Sequence, residues 1–140
     1  MEPNRLVGTI MHKGVIGCKP STPLDEVVCI MADTNLRVIV VTGPDDEALG
    51  IISQLEVIPY YGRDHKGIKA RDVMSSVVIA IPPEMPLVDA VKIMVERKIT
   101  HLVVSERGDV GHHALGILSS SEVIREMRGS KWMWYFSPEP

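Results

Sequence analysis

A serine followed three residues later by a glutamate occurs twice, each time at the end of an apolar run. The two pairs lie in the segments GIISQLEVI (50–58) and GILSSSEVI (116–124). In a capping box, such a serine accepts a hydrogen bond from the third helical N–H, and the glutamate reaches back to the serine N–H. The same helix N-terminus carries spare N–H groups and a partial positive charge, which attract anions such as phosphate. The residues alone therefore leave two interpretations open: a cap only, or a cap that is also part of a ligand site.

The repetition of this pair extends to most of the chain. PLDEVVCIMADTNLRVIVV (23–41) aligns with PLVDAVKIMVERKITHLVV (86–104) at an offset of 63 residues, and the Ser-x-x-Glu segments align at 66. The difference of three residues predicts a longer hairpin loop between Val104 and Leu115. The period exceeds that of solenoid repeats, so we interpret the chain as one small domain that has been duplicated.

Each copy predicts the element order β-α-β-β-α. A short apolar strand (14–18 or 77–81) precedes a helix, two β-branched strands follow, and a second helix begins at Ser53 or Ser119. The first helices carry apolar residues at helical spacing, which predicts one buried stripe per helix. These residues are Leu24, Val27, Val28 and Met31 in the first copy, and Leu87, Ala90, Val91, Met94 and Val95 in the second.

The ends of the helices carry further signals. Pro23 and Pro86 suit the first helical position, where a missing N–H is tolerated, and Thr22 is a candidate N-cap. Gly129 is a candidate C-cap for the last helix. We divide the chain into repeat 1 (7–59), a connector (60–69), repeat 2 (70–128) and an aromatic tail (129–140).

A unit of about 60 residues buries little surface by itself, so the two copies are expected to share a core. Packing their sheets face to face about a pseudo-two-fold axis leaves two equivalent clefts between the copies. The sequence therefore predicts an α+β fold with two candidate ligand sites.

Composition narrows the classes of function. The net charge of −3 gives no general attraction to nucleic acid, so such a partner is not expected. No apolar run approaches the roughly 20 residues that span a bilayer, and the first residues do not resemble a signal peptide. Two cysteines do not form a disulfide framework, which favours a cytoplasmic location. We find no Gly-rich phosphate loop, nucleophile–base pair or metal-ligand cluster, so we expect neither catalysis nor a metal site.

The ordered set of elements resembles a known family. DVMSSVVIAIPPEMPLVDAVKIMVERKITHLVV (72–104), followed by a turn and LGILSSSEVI (115–124), looks like half of a cystathionine-β-synthase (CBS) domain pair, or Bateman module. The resemblance covers residues 7 to 126. It implies tandem CBS domains, no required cofactor, and a regulatory ligand of the AMP, ADP, ATP or S-adenosylmethionine type bound between the repeats. It also implies a homodimer, often a flat disc.

In that family the strand-to-helix turn reads Gly-hydrophobic-hydrophobic-Ser/Thr-x-x-Asp, and its aspartate holds the ribose hydroxyls. Ser119 and Glu122 occupy these positions in repeat 2, and Ser53 and Glu56 occupy them in repeat 1. Both copies thus replace the aspartate by glutamate, which has one more methylene and suits the capping role.

Carried over position by position, the resemblance gives two candidate sites. Site A would contain Met11, Gly14, Ile16, Leu36, Arg37, Val38, Ser119, Ser121 and Glu122. Site B would contain Ser53, Leu55, Glu56, Met74, Val77, Ile79, Ile99, Thr100 and His101. We favour site A, because the Ser121 hydroxyl and the permanently charged Arg37 can both meet phosphate.

The leading hypothesis is a non-catalytic nucleotide sensor that passes its occupancy to a regulated partner protein. The alternative is a structural or interaction module with degenerate clefts, which docks through the aromatic tail. Trp132, Trp134 and Phe136 alternate as on one face of an extended strand. They would pack across a dimer interface, which we favour, or fold back onto the helices of the same chain.

Overall fold

The computed structural model describes residues 5–129, and both repeats have the expected order of elements. Repeat 1 contains β2 (Gly17–Cys18), α2 (Leu24–Thr34), β3 (Val38–Thr42), β4 (Ala48–Ser53) and α3 (Gln54–Val57), followed by a 3₁₀ turn (Ile58–Tyr60). Repeat 2 contains β5 (Ala80–Ile81), α5 (Leu87–Arg97), β6 (His101–Ser105), β7 (Ala114–Ser119) and α6 (Ser120–Arg128). Leading segments precede both: α1 (Val7–Ile10) with β1 (His12–Lys13), and α4 (Ala70–Val73). The predicted α+β architecture of two tandem repeats is confirmed.

The two central hairpins are built alike. In each, the first residue of one strand faces the capping serine of the other, as Val38 faces Ser53 and His101 faces Ser119. Each hairpin also has an irregularity before its loop, between Val41 and Thr42 and between Val104 and Ser105. The loops are residues 43–47 and 106–113, so the predicted three-residue extension lies in the second hairpin.

The leading segment of each repeat packs into the core of the other repeat. Val7 is fully buried in the core of repeat 2, where its N–H bonds to the carbonyl of Met85 at 2.9 Å, and β1 pairs with β7. Conversely, Ala70 and Val73 lie in the core of repeat 1, and the Ala70 N–H bonds to the carbonyl of Thr22 at 2.8 Å. The sheets therefore have the orders β1-β7-β6-β5 and β2-β3-β4, and each repeat completes the core of the other.

Two glycines allow this exchange. A Cβ on Gly116 would lie 2.2 Å from the carbonyl oxygen of His12, and one on Gly50 would lie 2.6 Å from the sulfur of Met74. The two glycines occupy equivalent positions in β7 and β4, where the leading segment of the other repeat crosses. Only a residue without a side chain permits that approach.

A third core joins the two sheets. Val40 and Ala48 from repeat 1 pack with Val103 and Ala114 from repeat 2. The hairpin loops also meet, since the Ala114 N–H bonds to the carbonyl of Asp46 at 3.1 Å. This central layer holds the two repeats against each other and forms the floor of the clefts between them.

Several local predictions were wrong. The first strands are shorter than expected, because only Gly17–Cys18 and Ala80–Ile81 enter the sheets. Pro23 and Pro86 lie at the N-cap, one position before the first helical residue. Thr22 does not cap α2, because its hydroxyl accepts the Lys19 N–H at 3.0 Å and closes a turn.

The buried stripe of α5 is also narrower than predicted. Leu87, Ala90 and Met94 are buried, but Val95 is 70% exposed. The predicted C-cap of α6 is confirmed, since Gly129 adopts a φ of 62° and its N–H bonds to the carbonyls of Arg125 and Glu126. The rest of the aromatic tail, 130–140, lies outside the described residues. No helix in residues 5–129 combines the length and apolar character needed to cross a bilayer.

Candidate functional site

A cavity of about 320 Å³ lies between the repeats at the start of α6. Repeat 1 and its leading segment provide one wall, and the hairpin and second helix of repeat 2 provide the other. Its lining residues are His12, Gly14, Ile16, Asn35, Leu36, Arg37, Val38, Val40, His101, Ile117, Ser119, Ser121, Glu122 and Arg125. We call it cavity A.

Cavity A brings together eight of the nine residues predicted for site A. The exception is Met11, whose side chain packs against the core of repeat 2 and lies over Gly116. Sequence reasoning did not assign six lining residues to this site: His12, Asn35, Val40, His101, Ile117 and Arg125. The sequence does contain a signal for Arg125. This residue follows Glu122 by three positions and therefore lies on the same face of a helix.

The Ser119–Glu122 pair forms the predicted capping box. Oε1 of Glu122 accepts hydrogen bonds from the Ser119 N–H at 2.8 Å and from the Ser119 hydroxyl at 2.7 Å. Its other oxygen, Oε2, accepts a bond from Nη2 of Arg125 at 2.7 Å. Glu122 therefore fixes the start of α6 and also holds the Arg125 guanidinium beside the cavity.

The charges around cavity A are mainly positive. Arg37 and Arg125 are cations at any physiological pH, whereas Glu122 is already paired with Arg125. Burial lowers the pKa of His101, nearby Arg37 lowers it further, and Glu122 acts in the opposite direction. The imidazole is therefore neutral near pH 7, and its Nδ1 lies 3.0 Å from the Thr100 hydroxyl.

The second cleft, which we call cavity B, has a volume of about 510 Å³. It is lined by Val38, Ile51, Ser53, Leu55, Glu56, Ser75, Val77, Val78, Ile79, Lys98, Ile99, Thr100, His101, Val103 and Ile117. Every residue predicted for site B is present except Met74, which lies over Gly50 and packs against the core of repeat 1. Ser75 and Lys98 are polar lining residues that sequence reasoning did not assign.

The clefts are equivalent in position and different in chemistry. Where cavity A has Arg37 and Ser121, the equivalent residues at cavity B are Thr100 and Leu55. The position of Arg125 corresponds to Pro59, which has no charge. The helix that begins at cavity B, α3, has only four residues, against nine in α6. Cavity A therefore offers the stronger anion-binding environment, and cavity B the more apolar one.

In cavity B the capping glutamate is likewise engaged by its serine. Glu56 accepts bonds from the Ser53 N–H and from the Ser53 hydroxyl, both at 2.9 Å. The two cavities share Val38, His101 and Ile117, so they lie on either side of one wall. His101 was predicted for site B alone, but the structure places it at both cavities.

Two β-α-β-β-α units with exchanged leading segments and paired clefts define a CBS domain pair. The family model described as CBS domain matches residues 7–62 and 70–129, so the chain belongs to the CBS domain family.

Three curated relatives match at 26–27% sequence identity. Uncharacterized protein MK0525 of Methanopyrus kandleri is 27% identical over 123 residues, which are 85% of this chain and 61% of that protein. An uncharacterized 33.4 kDa protein from a ribosomal RNA operon of Thermofilum pendens is 26% identical, over 72% of this chain and 32% of its own length. Inosine-5'-monophosphate dehydrogenase of Thermoplasma acidophilum is 26% identical, over 86% of this chain and 23% of its own. The chain thus spans less than two thirds of each of these relatives.

Solved structures share the fold. An uncharacterized conserved protein from Pyrococcus horikoshii superposes with a TM-score of 0.80 at 23% identity, covering 96% of this chain and 100% of that one. The CBS domain pair of MJ0100, in complex with 5'-methylthioadenosine and S-adenosyl-L-methionine, has a TM-score of 0.80 at 20% identity, with coverages of 92% and 100%. CBSX2 in complex with AMP has a TM-score of 0.78 at 20% identity, with coverages of 91% and 99%.

The described part of the chain, residues 5–129, contains no group of three or more His, Cys, Asp or Glu side chains that could hold a metal ion.

Proposed function

We propose that the chain is a regulatory module that binds an adenine nucleotide in cavity A. The observation that carries this proposal is the convergence of Arg37, Arg125 and the N-terminus of α6 on one cavity with apolar walls. A volume of about 320 Å³ falls within the range of roughly 300–1,000 Å³ that is usual for small-molecule sites. CBS pairs of the same fold have been solved with AMP and with S-adenosyl-L-methionine, which supports an adenosine-containing ligand.

The two halves of such a ligand have different partners in cavity A. The arginines and the Ser119 and Ser121 hydroxyls can bind the phosphate, assisted by the partial charge at the start of α6. Ile16, Val40 and Ile117 offer an apolar surface to the base. Neutral His101 can hydrogen-bond to a base or ribose. Glu122 contributes through its cap and through Arg125. Its Oε2, which accepts the bond from Arg125, can also accept one from a ribose hydroxyl.

Binding can become a signal because both repeats line the cavity. A ligand that contacts Arg37 of repeat 1 and Ser121 of repeat 2 stabilises one relative arrangement of the repeats. The ligand can shift the equilibrium between two arrangements of the repeats only by the difference in its binding free energy for them. We propose a regulated partner protein, assembly as a homodimer and a cytoplasmic location, with no catalytic activity in this chain.

A thermal-shift panel with AMP, ADP, ATP, S-adenosylmethionine, NAD and adenosine tests the ligand class. A ligand present at 100 times its Kd adds about 2.7 kcal/mol to the free energy of unfolding. We expect at least one phosphate-bearing adenosine compound to stabilise the protein more than adenosine does. Unchanged melting curves for every compound at millimolar concentration would exclude the nucleotide hypothesis.

Calorimetric titration of two variants assigns the cavity. Arg37→Gln removes a charge-assisted hydrogen bond, so its Kd for the phosphate-bearing ligand should rise about tenfold or more. The matched control is Lys98→Gln, which removes the cation that lines cavity B. A loss of affinity in Lys98→Gln, with Arg37→Gln unchanged, would move the site to cavity B.

The second candidate function is an interaction module. It is favoured by an exposed apolar groove between α5 and α6, which neither repeat covers within residues 5–129. Removal of residues 131–140 is followed by measuring the number of chains per particle in solution. If no ligand shifts the melting curve, and the removal changes that number, this function replaces the sensor.

A further inference from the structure

One wall separates cavity A from cavity B, and His101 is the titratable residue in it. The wall consists of Val38, His101 and Ile117, which line both cavities. Val38 and His101 are equivalent residues, because each is the first residue of its strand and faces the capping serine of its own hairpin. The duplication thus has an aliphatic side chain at one of these positions and an imidazole at the other. A group that lies between two sites responds to the charge of whatever occupies either one.

Charged side chains share both cavities with His101. The titratable and charged residues that line a cavity with it are His12, Arg37, Glu122 and Arg125 in cavity A, and Glu56 and Lys98 in cavity B. Each glutamate accepts bonds from its own capping serine, and Glu122 also accepts one from Arg125. Arg37 is therefore the cation of cavity A that no carboxylate within residues 5–129 engages.

Two influences oppose a proton on His101. Burial lowers the pKa of the imidazole, and the charge of Arg37 lowers it further, whereas Glu122 raises it. An anion bound to Arg37 would offset the effect of that cation, and its own charge would favour the imidazolium. Both effects of such an anion act in the same direction.

The hydrogen bond at Nδ1 is compatible with either charge state. Nδ1 lies 3.0 Å from the Thr100 hydroxyl, which can donate to the neutral imidazole and accept from the imidazolium. The Thr100 carbonyl accepts the Ser120 N–H at 2.9 Å, so this residue is anchored to the first turn of α6. Protonation of His101 therefore requires only that the Thr100 hydroxyl rotate.

We propose that anion binding in cavity A is coupled to the uptake of a proton by His101, and that this proton changes the charge of the wall that cavity B shares. The coupling rests on the proposed function, because the anion is the phosphate of the adenine nucleotide. Linkage is reciprocal, so a protonated His101 also strengthens the binding of that anion, and affinity rises as the pH falls. In cavity B the imidazolium joins Lys98 as a cation, which favours an anionic occupant over a cationic one.

Calorimetric titration with AMP and with ATP, in buffers of different ionisation enthalpy, measures the protons taken up per ligand bound. We expect the parent protein to take up more protons than His101→Gln between about pH 5 and 8. Glutamine keeps a hydrogen-bonding group but carries no charge. Comparison at the same pH removes the titration of the nucleotide's own phosphate, which ionises at about pH 6.

The affinities should show the same coupling. For each unit by which binding raises the pKa of His101, the Kd of the parent protein should fall about tenfold between the neutral and the protonated imidazole. This fall is measured beyond any change that His101→Gln shows over the same pH range. NMR titration of the His101 imidazole, assigned through the backbone, should show a higher pKa with AMP or ATP than without. It uses the unmodified chain, so it tests the coupling even if His101→Gln does not fold.

Two further histidines serve as comparisons. His65→Gln is the matched control, because His65 lies on the connector and lines neither cavity, so its proton uptake should equal that of the parent protein. His12→Gln tests the other histidine of cavity A. Loss of the uptake in His12→Gln, with uptake retained in His101→Gln, would assign the proton to His12 and overturn the proposal.

The outcomes separate this coupling from the proposed function. Binding of AMP or ATP with equal proton uptake by the parent protein and His101→Gln would overturn the coupling and leave cavity A as a nucleotide site. Release of protons from His101 on binding would also overturn it, because loss of water would then outweigh the charge of the anion. If neither AMP nor ATP binds at any pH, the proposed function is overturned and the coupling with it.

Discussion

At the scale of single residues, the two clefts of the duplicated chain differ in charge. Arg37 faces cavity A, and its equivalent at cavity B is Thr100, so a permanent cation is replaced by a neutral hydroxyl. The capping glutamates are alike in both copies, since each bonds to its own serine. The difference between the clefts therefore comes from the residues around the caps, and it determines where an anion is attracted.

Two histidines are expected to titrate on opposite sides of the ordinary value of 6.5. Asp25 hydrogen-bonds to His65 and the Tyr60 carbonyl is also near, so the pKa of His65 is raised. Burial is the main cause of the lowered pKa of His101. NMR titration of the imidazole resonances, assigned with His65→Gln and His101→Gln, measures both. A His101 that titrates at or above 6.5 would contradict the burial that the structure shows.

The consequences for stability have opposite signs. The contribution of His65 is fully present below pH 6.5 and is lost as the pH rises through its higher folded pKa. His101 favours the neutral form in the folded state, so stability is lost as the pH falls from 6.5 through its lower folded pKa. His101→Gln should therefore lose less stability than the parent protein between neutral and acid pH.

At the scale of elements, the same capping box begins two helices of different length. Ser119 begins the nine-residue α6, whereas Ser53 begins α3, which has four residues before the chain changes to a 3₁₀ turn. Pro59 lies in that turn and cannot donate an N–H to continue an α-helix. One proline thus shortens the helix at cavity B and weakens its N-terminus as an anion site.

Two substitutions distinguish the contribution of the Ser119 cap to the stability of α6 from that of the Glu122 charge. Ser119→Ala removes the capping hydroxyl and should lower the free energy of unfolding by about 0.5–2 kcal/mol. Glu122→Gln should cost less, because glutamine also serves as the third residue of a capping box. Urea denaturation measures both. If Ser119→Ala is as stable as the parent protein, the cap does not limit the stability of α6.

At the scale of the whole molecule, the exchange of leading segments makes the repeats one folding unit. Val7 is buried in repeat 2 and Ala70 is buried in repeat 1. Separating the repeats would expose both sites and remove the partner strand that β1 provides to β7. A change at either cleft can therefore reach the other repeat through packed backbone.

We expect the two repeats to be unable to fold separately. A fragment of residues 5–69 lacks Ala70 and Val73, so circular dichroism should show little native structure. The intact chain should unfold in one transition that is the same by circular dichroism and by fluorescence. Two separated transitions in the intact chain would contradict the shared core.

The crossing points should tolerate no side chain. Gly116→Ala places a Cβ 2.2 Å from the carbonyl oxygen of His12, so the backbone must move and β1 must shift from β7. We expect a loss of about 1–3 kcal/mol in the free energy of unfolding, typical of overpacking. Gly111→Ala is the control, because the nearest atom to its Cβ would be 3.7 Å away. Equal stability of the two variants in urea would show that the crossing is looser than described.

The sequence predicted the duplication, the order of elements and both capping boxes, because these depend on local periodicity and on hydrogen bonds between residues three apart. It also predicted most of the lining of both cavities, since the resemblance to CBS pairs gave positions that the duplicated fold brings together. Met11 and Met74 are the two predicted site residues that do not line the cavities, for one shared reason. Each lies over a glycine of the other repeat, so its side chain packs into a core rather than a cleft.

The tertiary structure alone decided which residues face two surfaces at once. His101 lies at both cavities, although the sequence assigned it to site B alone. It also left Val95 exposed beside α6, although the helical spacing of α5 predicts its burial. Spacing along the chain determines which face of a helix a residue occupies. Whether that face is covered depends on segments distant in sequence, such as the leading segment, whose Val7 shares one core with Leu87, Ala90 and Met94 of α5.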